Sequence, residues 1–252
     1  TLGNLYLEPS ANFSGSISDG HVGNISRYQT AEGRDLESFI TGGTFGMDVT
    51  EFCAFNYACT QNTDGTYGVN PSTTVNQISN LNELIAFRNA VNAGNTFKNQ
   101  TVTVTADINM ESVENWTPIG TSANPFKGTF DGGNKTISNL KVNATETSNV
   151  GLFGVVKDGA TVKNITINNA AVKGKSNVGA IAGNLHSSTM DNCHVTGLVQ
   201  IDGNYKVGGL IGGAYSNVRN CSLIADNDSY VKGTHVEANL EGDNVGGITG
   251  YN

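Results

Sequence analysis

Lys206-Val-Gly-Gly-Leu-Ile-Gly212 has three near copies in this chain: Asn149-Val-Gly-Leu-Phe-Gly154, Asn177-Val-Gly-Ala-Ile-Ala-Gly183 and Asn244-Val-Gly-Gly-Ile-Thr-Gly250. The leading valines, Val150, Val178, Val207 and Val245, follow one another in steps of 28, 29 and 38. Periods of this length belong to repeat arrays, in which each unit is a small element that cannot bury its apolar side alone.

A second phrase runs in phase with the first. It reads Val162-Lys-Asn164-Ile165-Thr-Ile167, Met190-Asp-Asn192-Cys193-His-Val195 and Val218-Arg-Asn220-Cys221-Ser-Leu223, with its asparagines in two equal steps of 28. Ile137-Ser-Asn139-Leu140-Lys-Val142 fits the same template one step of 25 earlier. Apolar residues flank each asparagine and then alternate with polar ones, which is strand spacing with one face inward. Stacking equivalent strands about 4.8 Å apart lays each side chain over its homologue in the next coil. The template therefore predicts an inward ladder of Leu140, Ile165, Cys193 and Cys221, and another of Val142, Ile167, Val195 and Leu223. It also predicts an asparagine ladder of Asn139, Asn164, Asn192 and Asn220. Gly151, Gly179, Gly208 and Gly246 are read as tight corners or positive φ.

Composition agrees with a coil of many bends. There are 32 Gly and 33 Asn but only 4 Pro, and charged residues make up 14 %, against about 25 % in an average domain. The net charge of −8 is spread along the chain without long runs of one sign, which argues against nucleic acid or an anionic membrane as a partner, since phosphate binding needs clustered Lys and Arg. No run approaches the length of a membrane-spanning helix. Cys53, Cys59, Cys193 and Cys221 lack metal-ligand spacing. Cys193 and Cys221 read as buried thiols, with a disulfide between coils as the alternative.

Ahead of the repeats, Leu81, Leu84, Ile85 and Val91 recur at helical spacing, with Ser79 or Asn80 as cap and Gly94 as stop, predicting a short helix near 79–93. Its apolar face suits a cap over the end of the coil. Residues 1–75 form an irregular β-rich segment that is expected to add one or two coils of its own. Within it, Phe39 to Phe45 reads as a bent strand, Val49 to Asn56 as a short helix and Cys59 to Val69 as a hairpin turning at Asp64-Gly65. Residues 76–252 then hold the helix and units at about 150–177, 178–206 and 207–244, with a partial unit at 245–252.

The Val-Gly-Gly-Leu-Ile-Gly phrases resemble GLUG-motif repeats of bacterial surface proteins. Leu84 to Gly94, Ala106-Asp-Ile-Asn109, Trp116-Thr-Pro-Ile-Gly120 and Phe126 to Asn134 are similar to the segment that precedes such repeats. The resemblance covers about residues 76–252. It implies an all-β protein, a right-handed parallel β-helix, serving as a non-enzymatic adhesion or structural module at the cell surface or outside the cell. The third unit carries about ten extra residues around 225–239, read as a protruding loop. Thr1 is neither an initiator Met nor the start of a signal-peptide pattern, so export rests on the resemblance alone.

No constellation of catalytic residues stands out. A carbohydrate-active β-helix enzyme, the second reading, needs convergent carboxylates, whereas the outward columns offer Lys163, Asp191 and Arg219, then Thr166, His194 and Ser222. A scaffold for protein assembly is the third reading. No cofactor or metal is expected; Asp226 and Asp228, with Glu237, Glu241 and Asp243, match no Ca²⁺ loop spacing. His186, Tyr215 and Tyr251 follow the repeat phrase at related positions and, with Trp116, form a candidate ligand surface. Aromatic faces beside amides suit glycans, so glycans or surface proteins of a host or other microbes are the expected partners.

Overall fold

The computed structural model describes residues 2–7, 22–27, 40–73, 75–233 and 245–251, with backbone alone for 2–7, 22–27, Glu51 and Tyr251. By contact the chain divides into two compact units, Thr1–Gln77 with Asn82–Ala90 and Ile78–Leu81 with Val91–Asn252.

The second unit is a parallel β-solenoid of about five turns. Strands Thr101–Val104, Thr129–Ala144, Thr161–Gly174, Ala182–Gly203 and Ile211–Arg219 stack in chain order. Val102, Phe130, Val162, Met190 and Val218 share one column. Ile108, Ile137, Ile167, Val195 and Leu223 share a second. Val142, Val172, Ile201 and Val231 share a third. Inward alternation thus repeats at the same height in each turn, and removal of these apolar columns from water drives the stacking.

The valine column matches expectation, with Val150 bridging Val178, and Val207 pairing with both Val178 and Val245. The earliest coil differs from the template by five residues. Ile165 pairs with Cys193 on one side and with Lys135, not Leu140, on the other, while Leu140 pairs with Ala170, which pairs in turn with Val199; Val142 lies beside Val172, and Ile137 beside Ile167. The reason is that these coils turn two corners five residues apart, both asparagine on the two earlier coils and Asn192 with Gly197 on the next. Asn134 and Asn139 turn one coil and Asn164 and Asn169 the next, all with φ of 56 to 62°. Asn is the side chain that tolerates this left-handed backbone best, so the phrase around Asn139 imitates the wrong corner.

Two ladders replace the single one. Asn192 donates to Asn164 at 3.0 Å, and Asn164 donates to Asp131 at 3.0 Å. Separately, Asn169 donates to Asn139 at 3.2 Å and Asn139 to Asn109 at 2.9 Å. Asn220 turns its amide to Asp191 at 2.8 Å.

The glycines of the repeat phrase serve close approach. Gly151, Gly179, Gly208 and Gly246 have no positive φ; a Cβ on Gly151 would strike the Gly179 carbonyl, and one on Gly179 the Leu210 carbonyl. The closing glycines seat each coil on the corner of the one before: a Cβ on Gly183 would collide with the backbone of Asn149 and Val150, and one on Gly212 with that of Asn177 and Val178.

The insertion of the third unit is split. Gly197 faces Ala225, yet Gln200 faces Tyr230, so two extra residues form the turn at Asp226–Ser229, held by Asp226 N–H on the Gly197 carbonyl at 2.9 Å. Tyr230–Gly233 is a strand on the stack, and the remainder falls between Gly233 and Val245. Residues 234–239 of the expected loop, with Glu237, Glu241 and Asp243, lie outside the described residues.

The N-terminal unit buries Ile40, Phe45, Val49, Phe52, Cys53 and Val69 together. Tyr57–Gln61 and Tyr67–Pro71 form the expected antiparallel hairpin. Its turn is closed by Asp64, which accepts from the Thr66 N–H at 3.0 Å, and by Gly65 at φ 83°. The segment read as a helix from Val49 shrinks to a 3₁₀ turn, Thr50–Phe52. Leu2–Leu7 and Val22–Arg27 pair in parallel. The α-helix is Leu81–Asn92, closed by Gly94 at φ 110°. Its central residues group with this unit, where Phe87 packs on Phe55 with ring centroids 5.4 Å apart.

Candidate functional site

The outward columns of the solenoid are where chemistry would have to sit. Asp131, Lys163, Asp191 and Arg219 lie one above another on successive coils. The signs alternate, and Lys163 pairs with Asp131 at 3.2 Å while Arg219 pairs with Asp191 at 3.0 Å. Lys232 and Asp202 repeat the arrangement at 3.1 Å. Burial pushes the Asp131 carboxyl up, but hydrogen bonds from Asn164, Gly133 and Lys163 outweigh it and leave it below the ordinary value. Bonds from Asn220 and then Arg219 hold Asp191 down as well. A general acid needs a carboxyl pushed up, and these two are pushed the other way.

The same shifts bear on stability. Both carboxyls have folded values below their unfolded ones, so their contribution is complete above the unfolded carboxylate range and is lost as pH falls through the folded values. The melting temperature is expected to stay level from pH 7 to about 5 and to drop below about pH 4. Asp131→Asn should shrink the drop, as thermal melts across pH 3 to 7 would show.

In the next outward column, Thr166, His194 and Ser222 are in register. With Nε2 protonated, His194 donates to Asn192 Oδ1 at 3.0 Å and its Nδ1 accepts from the Ser222 hydroxyl at 2.7 Å. Inside the coil, Cys193 is buried and Cys221 half-buried, both as thiols. The hydrogen bond between them and burial push the Cys193 thiol above its ordinary value. Among the described residues no three His, Cys, Asp or Glu side chains come together as a metal site would require.

One corner of the solenoid forms a ledge. Lys157, His186 and Tyr215 occupy the same position on three successive coils. The His186 and Tyr215 rings lie 5.9 Å apart at 53°, and Tyr215 is 48 % exposed. Beside them a groove of about 420 Å³ is lined by Gly159, Ser187, Ser188, Thr189, Tyr215, Ser216 and Asn217. The Ser216 hydroxyl accepts from the Ser188 N–H at 3.0 Å, and the Ser187 hydroxyl meets His186 Nδ1 at 3.2 Å. An aromatic platform bordered by hydroxyls and an amide can hold a sugar ring by its C–H face and its hydroxyls.

Of the other two candidates, Trp116 lies in the core and Tyr251 is described by its backbone alone. Trp116 is 1 % exposed and donates its indole N–H to the Leu152 carbonyl at 3.0 Å. That is a core side chain with its polar atom satisfied, which removes it from the ligand surface. The Tyr251 backbone pairs with Gly213, two residues before the Tyr215 position.

Lys206 is a residue that the motif reading passed over. It takes the corner occupied by Asn149 and Asn177 on the preceding coils, and all three have φ of 51 to 63°. Asn177 donates to Asn149 at 2.8 Å, and the left-handed backbone costs a lysine about 1 to about 2 kcal/mol. Its ammonium sits 6.0 Å from the centre of the Tyr215 ring. The signal was present in the sequence: three copies of the phrase begin with Asn and this one with Lys.

The GLUG motif is present at residues 203–227, which span the third repeat phrase and the strand after it. The chain is 36 % identical over 143 residues, 54 % of its length, to Halomucin of Haloquadratum walsbyi, and spans 2 % of that protein. It is 35 % identical over 83 residues, 32 % of its length, to a "Putative Gly-rich membrane protein" of Evansella cellulosilytica, spanning 10 % of it. No solved structure matches the chain. Among the described residues no helix is long and apolar enough to cross a membrane.

Proposed function

We propose that this chain is a non-enzymatic module of a cell-surface or extracellular protein, a stiff solenoid that presents a glycan-binding ledge at His186 and Tyr215. The observation that carries the reading is an exposed tyrosine tilted against a histidine of the preceding coil beside a polar groove. The GLUG motif and a relative whose name places it in a membrane support the surface location. Ion pairing of the outward carboxylates favours a binding module over a glycosidase, since each acid is engaged by a cation.

One observation favours a second, hydrolytic reading. Ser222, His194 and Asn192 stand in the order of nucleophile, base and orienting acceptor. Covalent labelling of Ser222 by a fluorophosphonate would support it, and an unlabelled protein would remove it.

The test of the main reading is a glycan array with the parent chain and Tyr215→Ala. The parent is expected to retain a defined subset of glycans and Tyr215→Ala to lose it, with the melting temperature unchanged. Absence of binding by the parent, or equal binding by the variant, overturns the proposal.

A further inference from the structure

We infer that Cys193 and Cys221 are a disulfide site, a staple between coils that ties the strand Ser222–Ala225 to the strand Ala182–Gly203. The inference takes its oxidising compartment from the cell-surface reading above. The structure holds both residues as thiols, the reduced form of the site.

Register brings the two residues together. Asp191 pairs with Arg219 and His194 with Ser222 on adjacent parallel strands. Cys193 and Cys221 fall between these pairs at the same step of 28, so each stands opposite the other. Neighbouring strands lie about 4.8 Å apart, inside the Cα separation of about 4.4 to about 6.8 Å that a disulfide accepts. The side chains also meet, since the two thiols share a hydrogen bond. Closing the link therefore requires side-chain rotation and no movement of the coils.

The remaining cysteines repeat the pattern. Cys53 is buried in the core of the N-terminal unit with Cys59 packed against it, and these two thiols are hydrogen-bonded as well. All four cysteines of the chain thus have a cysteine neighbour, at separations of 6 and 28 residues. Such pairing is the usage expected of an exported chain.

Access sets the order of events. Cys193 is wholly buried, whereas Cys221 is half-buried and lines a groove of about 390 Å³ with Ser216, Asn217, Arg219 and Thr249. The Cys221 sulphur, its proton lost to water, attacks a small external disulfide; a mixed disulfide forms, and one thiolate leaves and takes up a proton from water. The Cys193 sulphur then attacks the Cys221 sulphur and expels the second thiolate, which takes up the Cys193 proton. Two protein thiols are oxidised and one external disulfide is reduced to two thiols. The link falls at an open edge of the fold. Among the described residues Ser222–Ala225 pairs with Ala182–Gly203 alone, and Ile224 is 67 % exposed. A strand paired on one side frays readily, and a covalent link beside its first residue restrains it.

Peptide mapping by mass spectrometry tests the staple on the full chain, purified reduced and then held with glutathione disulfide at about pH 8, where thiolate forms. Expected is a cross-linked peptide that joins Cys193 to Cys221 and disappears on reduction. Cys193→Ala should stop after the first step, carrying one glutathionyl group on Cys221. The gain in melting temperature on oxidation should be about 5 to about 10 °C larger for the parent than for Cys221→Ser. Oxidised parent in which Cys193 and Cys221 are still alkylated as free thiols, or are joined to Cys53 or Cys59 instead, overturns the staple. That result leaves the surface reading and the ledge to be decided by the glycan array.

Discussion

Gly212→Ala is expected to cost at least about 3 kcal/mol, enough to unfold much of the solenoid, while Gly247→Ala changes stability by less than about 0.5 kcal/mol. Gly212 closes one copy of the phrase inside the strand Ile211–Arg219, and Gly247 lies in the bend between the strands Val245–Gly246 and Thr249–Tyr251 of another. The difference is what lies beneath. A Cβ on Gly212 would overlap the backbone of Asn177 and Val178, whereas one on Gly247 meets nothing within 4 Å. Neither has a positive φ, so conformational freedom does not enter either outcome. The obstacle at Gly212 is main chain pinned by the Val178 to Val207 pairing and by the Asn177 to Asn149 bond, and it cannot rotate away as a side chain would. Such a loss is a large share of the whole margin of a typical domain, about 5 to about 15 kcal/mol. Urea unfolding of the parent and both variants would measure it. Equal stability of Gly212→Ala and Gly247→Ala would mean that the phrase is kept among its copies for some other reason.

The repeat phrases made the parallel stack legible because a solenoid converts sequence periodicity directly into spatial columns. Once Val150, Val178, Val207 and Val245 are equivalent, the direction and order of their strands follow. The slip at Asn139 marks the limit of that conversion. Asn139, Asn164 and Asn169 all stand among apolar residues, so the template matches corners of both kinds. Only the equal steps from Asn134 to Asn164 and from Asn139 to Asn169 distinguish them. The insertion of Gly132 and Gly133 in that coil hides the match by breaking the local count. The glycine roles were out of reach for another reason: a positive φ and a close approach both select Gly, and the second depends on a coil that lies a full repeat away. At the ledge, Tyr215 and His186 could be found as residues following equivalent phrases, because their order is again periodic. Lys206 broke the period, which is why a search for sameness passed it by. Trp116 misled in the opposite direction. A lone aromatic among turn residues carries no pattern that tells a surface platform from a core plug.

Trp116→Ala is expected to destabilise the solenoid by about 3 to about 5 kcal/mol, and Tyr215→Ala by less than about 0.5 kcal/mol. The tryptophan is almost wholly buried, so its removal leaves a cavity against a rigid coil and strips the Leu152 carbonyl of its indole donor at 3.0 Å. An orphaned buried acceptor adds to the cost of the void. Tyr215 is about half exposed and gives up little packing when truncated. The two aromatics should therefore dissociate in a paired experiment: chemical denaturation moves with Trp116, and ligand capture moves with Tyr215. Trp116→Phe refines the first arm, since it keeps most of the ring volume while deleting the indole N–H. Its stability should fall between those of the parent and the alanine variant, with a loss of about 1 to about 3 kcal/mol, the cost of an unsatisfied carbonyl. A folded Trp116→Ala chain with parental stability would place that indole at the surface and return it to the ligand ledge.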